Sequence, residues 1–185
     1  MRRVLLLFCS VLILCTFLCA SKQSNYDSST DLSEAYKIAY AEAFRWNALA
    51  EPYFITSVDD PIESKNVKGK NGKRNYWNFD FVVESTSKHL IITVHDKTVV
   101  NKIEAESNVD NDYIINIEEL SISTAEAVGI AKDDYGLLPG TDWAQGYHFV
   151  LEKEGPALIL SVVGLNEKGI LSRVFFNAKT GEVIS

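Results

Sequence analysis

Ser123-Thr-Ala-Glu126-Ala-Val-Gly-Ile-Ala131 opens the stretch whose reading decides the fold, and Phe175-Phe-Asn-Ala-Lys-Thr-Gly181-Glu-Val-Ile184 closes it. Ser123 with Glu126 three places on is a capping box, so a helix starts here. Three runs then alternate apolar and polar residues, as strands with one buried face do. The first carries Tyr147, Phe149 and Leu151 on one side, and the second Leu158, Leu160 and Val162. The third spans Ile170 to Phe176, after the turn Asn166-Glu-Lys-Gly169. The final Lys179-Thr-Gly181 suits a hairpin in which glycine takes a left-handed conformation.

An altered form of this pattern occupies Asp31 to Glu106. Asp31-Leu-Ser-Glu34 is a second capping box, 92 residues before Ser123. At the same offset Glu34-Ala35 matches Glu126-Ala127, and Ile38-Ala39 matches Ile130-Ala131. This helix is expected to reach about Ala48. Leu32, Ala35, Ala39, Ala43 and Trp46 form its apolar stripe, which Tyr36, Tyr40 and Phe44 widen. Strand-like runs follow at Tyr53–Val58, Asn75–Glu84, Lys88–His95 and Val99–Ile103, with Trp77, Phe79 and Phe81, then Leu90, Ile92 and Val94, turned inward. The later strands echo at an offset nearer 70, so the first copy carries about twenty extra residues between helix and meander. Glu104 to Asp112 reads as a junction, and Tyr113 to Ile117 as a short strand.

The expected fold class is α+β: two tandem units, residues 31–107 and 108–185, each one helix packed on a three- to four-stranded antiparallel meander sheet. Units of that size have marginal cores alone, so the two are expected to pack together.

The residues Ser123, Glu126, Ala127, Ile130 and Ala131, with Phe176, Asn177, Ala178, Thr180, Gly181, Glu182 and Val183, resemble the PepSY and PepSY-like domains. The resemblance covers residues 123–185 well and 31–106 poorly, because the first copy lacks the Ala-x-Thr-Gly-Glu turn. It implies an exported or membrane-associated domain that restrains a peptidase. Tandem helix-on-sheet units are also similar to the beta-lactamase inhibitor protein. Both are binding modules without catalytic residues of their own.

The first twenty residues stand apart. Arg2-Arg3 precedes an apolar run from Val4 to Leu18, the pattern of a secretory signal and short for a membrane span. Its loss removes two arginines and takes the net charge from -7 to -9. Two processing readings stand: cleavage after Ala20, or lipid modification of Cys19 as in a bacterial lipoprotein, with residues 21–30 a polar linker in either case. Cys9, Cys15 and Cys19 are the only cysteines, so the exported part has neither disulfide nor thiol nucleophile. Export places the chain in the cell envelope or outside the cell.

With 185 residues, 46% hydrophobic and 23% charged, the chain can build a core. Its acidity argues against nucleic acid as a partner, since phosphate neutralisation needs clustered Lys and Arg. The chain has no nucleotide loop, nucleophile elbow or zinc-protease motif, and no cofactor or metal site is expected. His89 and His95 lie roughly 20 Å apart on one strand, too far to share a metal, and with His148 they are read as surface side chains. The stretch from Asn108 to Glu119 partly fits a calcium loop, but Tyr113 stands where the turn needs glycine, leaving calcium or a plain acidic linker open.

Candidate partner-binding residues fall in two places. Lys68, Lys70, Lys73 and Arg74 make a basic loop in an acidic chain, suited to an acidic partner or to solvent. Trp143, in a turn-rich stretch, is either an interface anchor or folded onto the sheet. The expected function is that of an exported non-catalytic binding module, with a peptidase as one target. An enzyme with a polar site in the cleft between units, or a structural envelope protein, remains the alternative.

Overall fold

Asp31 opens the first helix, accepting the backbone N–H of Glu34 at 2.8 Å. Such a cap supplies about 1 kcal/mol to a helix. In the computed structural model, which describes residues 28–59, 68–141 and 144–184, this helix, α1, runs Leu32–Trp46. Asn47 ends it in an extended conformation. Leu32, Ala35, Ala39 and Ala43 of the expected stripe are buried, whereas Trp46 is half-buried and Phe44 is 54% exposed. Four strands follow: β1 (Ala50–Ser57), β2 (Tyr76–Val83), β3 (Lys88–His95) and β4 (Thr98–Glu106). Ser123 caps the second helix, α2 (Thr124–Asp133), through Glu126 N–H at 3.1 Å. Then come β5 (His148–Glu154), β6 (Ala157–Leu165), β7 (Leu171–Asn177) and β8 (Val183–Ile184).

The fold is α+β, with one large antiparallel sheet ordered β4-β3-β2-β1-β5-β6-β7-β8. Two small separate meanders were expected. Instead β1 hydrogen-bonds to β5, with Ile55 opposite Leu151 and Thr56 opposite Val150. Joining the two strands satisfies backbone groups that would otherwise be exposed sheet edges. The strands matched by the 70-residue offset also differ in place: β5 sits at the centre, whereas β2 lies one strand further out.

One apolar face runs across the sheet. Ile92, Phe79, Ile55, Leu151 and Leu160 face one another strand by strand, and all are buried. α1 packs on this face over β2 and β3, and α2 over β6. The small Ala35, Ala39 and Ala43 let the α1 backbone approach the sheet, where Tyr36 meets Phe79 and Phe81. Trp77 stacks on Phe149 across the join, centroids 6.0 Å apart. Both helices share a single core cluster.

The junction holds two 3-10 turns, η1 (Asn111–Tyr113) and η2 (Ile117–Glu119), where a short strand was expected. Asp110 and Asn116 spend their side chains capping them. Ile115 between them enters the core, its N–H donating to Pro52 O. The closing hairpin forms as read: Gly181 has φ +77°, and its N–H bonds to Asn177 O. Among the described residues, no helix is long and apolar enough to cross a membrane. Residues 1–20 with Cys19, residues 21–27 of the expected linker 21–30, and Trp143 lie outside the described residues.

Candidate functional site

Side chains alternate across a sheet, so the face opposite the two helices carries the even positions of β2 and the odd positions of β3. Asn101, Thr93, Asn78, Thr56, Val150, Ser161, Phe175 and Ile184 form one row through all eight strands. α1 and α2 both pack on the other face, and on this one Tyr113 of η1 reaches Tyr53 beside His89. Phe54, Tyr76, Ile91 and Phe175 are partly or well exposed on it, whereas Val82, Val150, Ile159 and Val163 are buried. Ser161 Oγ is buried there with no hydrogen-bond partner among the described residues. All three histidines belong to this face, as alternation predicted.

Two of them are nonetheless not surface residues. His89 Nδ1 lies 2.9 Å from Asp80 Oδ2, and its Nε2 lies 2.7 Å from Ser107 Oγ. With Nδ1 carrying the proton, the ring donates to the carboxylate and accepts from the hydroxyl. Tyr53 meets the ring edge-on at 5.7 Å. Burial raises the Asp80 pKa, and the His89 hydrogen bond opposes that rise. Period-two alternation gives the direction of a side chain but not what closes over it. Here the cover includes Ser107, which follows β4.

His148 anchors a second cluster, at the end of β1 and the start of β5. Its Nε2 lies 3.0 Å from Asp59 Oδ1 and its Nδ1 3.2 Å from Ser57 Oγ. Ser57 Oγ in turn accepts from Phe149 N–H at 3.0 Å. Burial, then the nearby Arg74 guanidinium, lowers the His148 pKa, with Asp59 acting the other way. The neutral ring, protonated at Nε2, satisfies both neighbours.

Arg74 holds this cluster together. Its side chain is fully buried. Nη1 donates to Gln145 O at 2.8 Å and to Tyr147 O at 3.1 Å. Nη2 donates to Val58 O at 3.0 Å and to Asp59 Oδ1 at 3.1 Å. Asp59 also accepts from Gln145 N–H. A buried guanidinium needs this density of partners, because an unpaired buried charge is too costly to hold.

The basic loop is thus divided. Arg74 and Lys68 are buried, and Lys68 Nζ donates to Gln145 Oε1 at 2.7 Å. Lys73 is half-buried and Lys70 exposed. Gly72 O accepts from Thr124 Oγ1 at 2.7 Å, and a Cβ on Gly72 would meet Ala125 N at 2.2 Å. The far end of the loop is therefore docked against α2 and the segment before β5. It ties the two halves together, so Lys68 and Arg74 act inside the molecule rather than as a patch facing outward. No sequence pattern marks this, since Gln145 and Tyr147 lie more than 70 residues from Lys68 and Arg74.

Two adjoining clefts open between the end of α1 and the β3–β4 edge. One, of about 480 Å³, is lined by Glu42, Arg45, Trp46, Leu90, Lys102 and Glu104. The other, of about 370 Å³, lies against Trp46, Lys88, His89 and Glu104 to Glu106. Lys102 Nζ bonds to Glu42 at 3.0 Å, and that contact, ahead of other causes, lowers the Glu42 pKa. Among the described residues, no group of three or more His, Cys, Asp or Glu side chains could hold a metal, the acidic junction included.

No known family profile matches the chain. No curated protein matches it either. Among solved structures, it is similar to the crystal structure of a putative lipoprotein from Clostridium difficile 630. The TM-score is 0.53 at 11% identity, over 81% of this chain and 90% of that one. At that identity the likeness is one of fold.

Proposed function

We propose that this chain is an exported binding module of the bacterial cell envelope, PepSY-like in kind, that acts by docking a protein on the sheet face opposite α1 and α2. A peptidase is the target class that the PepSY resemblance favours. The observation that carries the reading is the apolar side chains left partly open across that face. Phe54, Ile91 and Phe175 stay partly exposed on the sheet face opposite α1 and α2. Aromatic and aliphatic side chains on a rigid support are the usual anchors of protein interfaces. The lipoprotein-like fold and the basic, apolar N-terminus support the envelope location. Lipidation at Cys19 and anchoring by Trp143 belong to the same proposal, as does contact of Lys70 and Lys73 with an acidic partner.

The test is crosslinking in envelope preparations, run with the unaltered chain and with Phe54→Asp. Capture of one protein that the variant loses, while its thermal unfolding is unchanged, supports the reading. Equal capture by both chains removes the sheet face from it.

An enzymatic reading has one specific observation in its favour. Asp80, His89 and Ser107 stand in series, carboxylate to Nδ1 and hydroxyl to Nε2, the order in which a base activates a serine. Ser107 is exposed, and His89 lines the smaller cleft. Fluorophosphonate labelling lost specifically in Ser107→Ala would favour the enzyme over the binding module.

A further inference from the structure

β4 is nine residues long, lies at the edge of the sheet, and is exposed along almost its whole length. At the other edge, β8 has only two residues. Ser107 N–H donates to Ser87 O, which makes that pair a hydrogen-bonded one. Antiparallel pairs alternate between bonded and non-bonded. Residues 101, 103 and 105 therefore turn their backbone groups toward β3, and Lys102, Glu104 and Glu106 turn theirs away from the sheet. A long open row of donors and acceptors is a template for another strand.

Natural edges are commonly blunted by charge. Here the charges are self-complementary in one register. If a second β4 runs antiparallel with its Ile103 opposite this Ile103, Lys102 faces Glu104, and Glu104 faces Lys102. Those two positions carry the outward backbone groups and exchange the hydrogen bonds. Ile103, exposed at 49%, then meets its twin at the close, non-bonded position. Sliding the second strand by two residues brings Lys102 onto Lys102 in one direction and Glu104 onto Glu104 in the other, and like charges directly opposite are unfavourable. Lys102 Nζ also donates to Glu42 on α1 at 3.0 Å, a contact that the pairing does not require.

We infer that β4 is a self-association edge, pairing antiparallel with β4 of a second copy about Ile103 to continue the sheet across a twofold axis.

Sedimentation equilibrium of the full-length chain should show a concentration-dependent dimer. Lys102→Glu should weaken it about tenfold or more, and Lys102→Glu with Glu104→Lys should restore it, since the pair is merely exchanged. Glu42→Gln removes the contact on α1 without changing the edge and should leave the dimer intact. Ile103→Cys should crosslink two copies under mild oxidation, whereas Val100→Cys, placed opposite Glu106, should not. Far-UV circular dichroism separates loss of pairing from loss of fold. A monomer at all concentrations, failure of the charge exchange to restore pairing, or equal crosslinking at both cysteine positions overturns the inference.

Discussion

Replacing Arg74 by methionine keeps the length and apolar stem of the side chain and deletes the guanidinium. Three carbonyl acceptors, on Gln145, Tyr147 and Val58, lose their donor, and Asp59 loses its counter-charge. Breaking a fully buried ion pair costs about 3–5 kcal/mol. Asp59 keeps a quarter of its side-chain surface, so water recovers part of its loss. Each buried acceptor left without a donor adds about 1 kcal/mol or more, and neighbouring losses are not additive. The expected cost is about 3–4 kcal/mol, a large share of the ~5–15 kcal/mol that holds a domain folded. Urea unfolding followed by tryptophan fluorescence would read it as a fall in midpoint at unchanged slope. Arg74→Met with Asp59→Asn should recover about 1–2 kcal/mol, because the stranded charge is gone. A second readout is independent of stability. Arg74 helps lower the His148 pKa, so its removal should raise that pKa in an NMR titration. A loss under about 1 kcal/mol, or an unmoved His148, would refute the view that Arg74 is the central tie of the join.

The pH dependence follows from His148, whose pKa in the folded chain lies below its ordinary value of 6.5. The unfolded chain takes up this proton first, so stability should fall as pH drops below about 6.5 and level off below the folded pKa. His148→Gln should flatten that part of the stability profile in urea titrations across the range. Two glycines should respond in opposite directions to alanine. Gly72→Ala forces a Cβ into the Ala125 backbone at φ +80° and should cost more than about 2 kcal/mol. Gly129→Ala, in α2 with nothing within 4 Å, should stabilise by about 0.5–1 kcal/mol in the same denaturation assay.

Local rules were enough for the elements. Asp31 and Ser123 cap the helices because a short oxygen-bearing side chain before an apolar stripe can do little else so well. Trp77, Phe79 and Phe81 face inward because period two leaves a strand no other way to bury them. These features depend on residues within a turn or two of one another, so they are written in the chain itself. The α+β class, the closing turn at Gly181 and the face on which each histidine stands were legible for that reason. Assembly was not. Whether two four-strand runs form two sheets or one depends on β1 meeting β5, and backbone pairing across nearly a hundred residues leaves no periodic trace. Nor does a charge reveal whether it is solvated. Lys70 and Arg74 look alike in a basic run, yet one is exposed and the other is fully buried among acceptors just after β1 and in the segment leading into β5. A buried ion is decided by the partners that surround it, and only the tertiary structure brings those together.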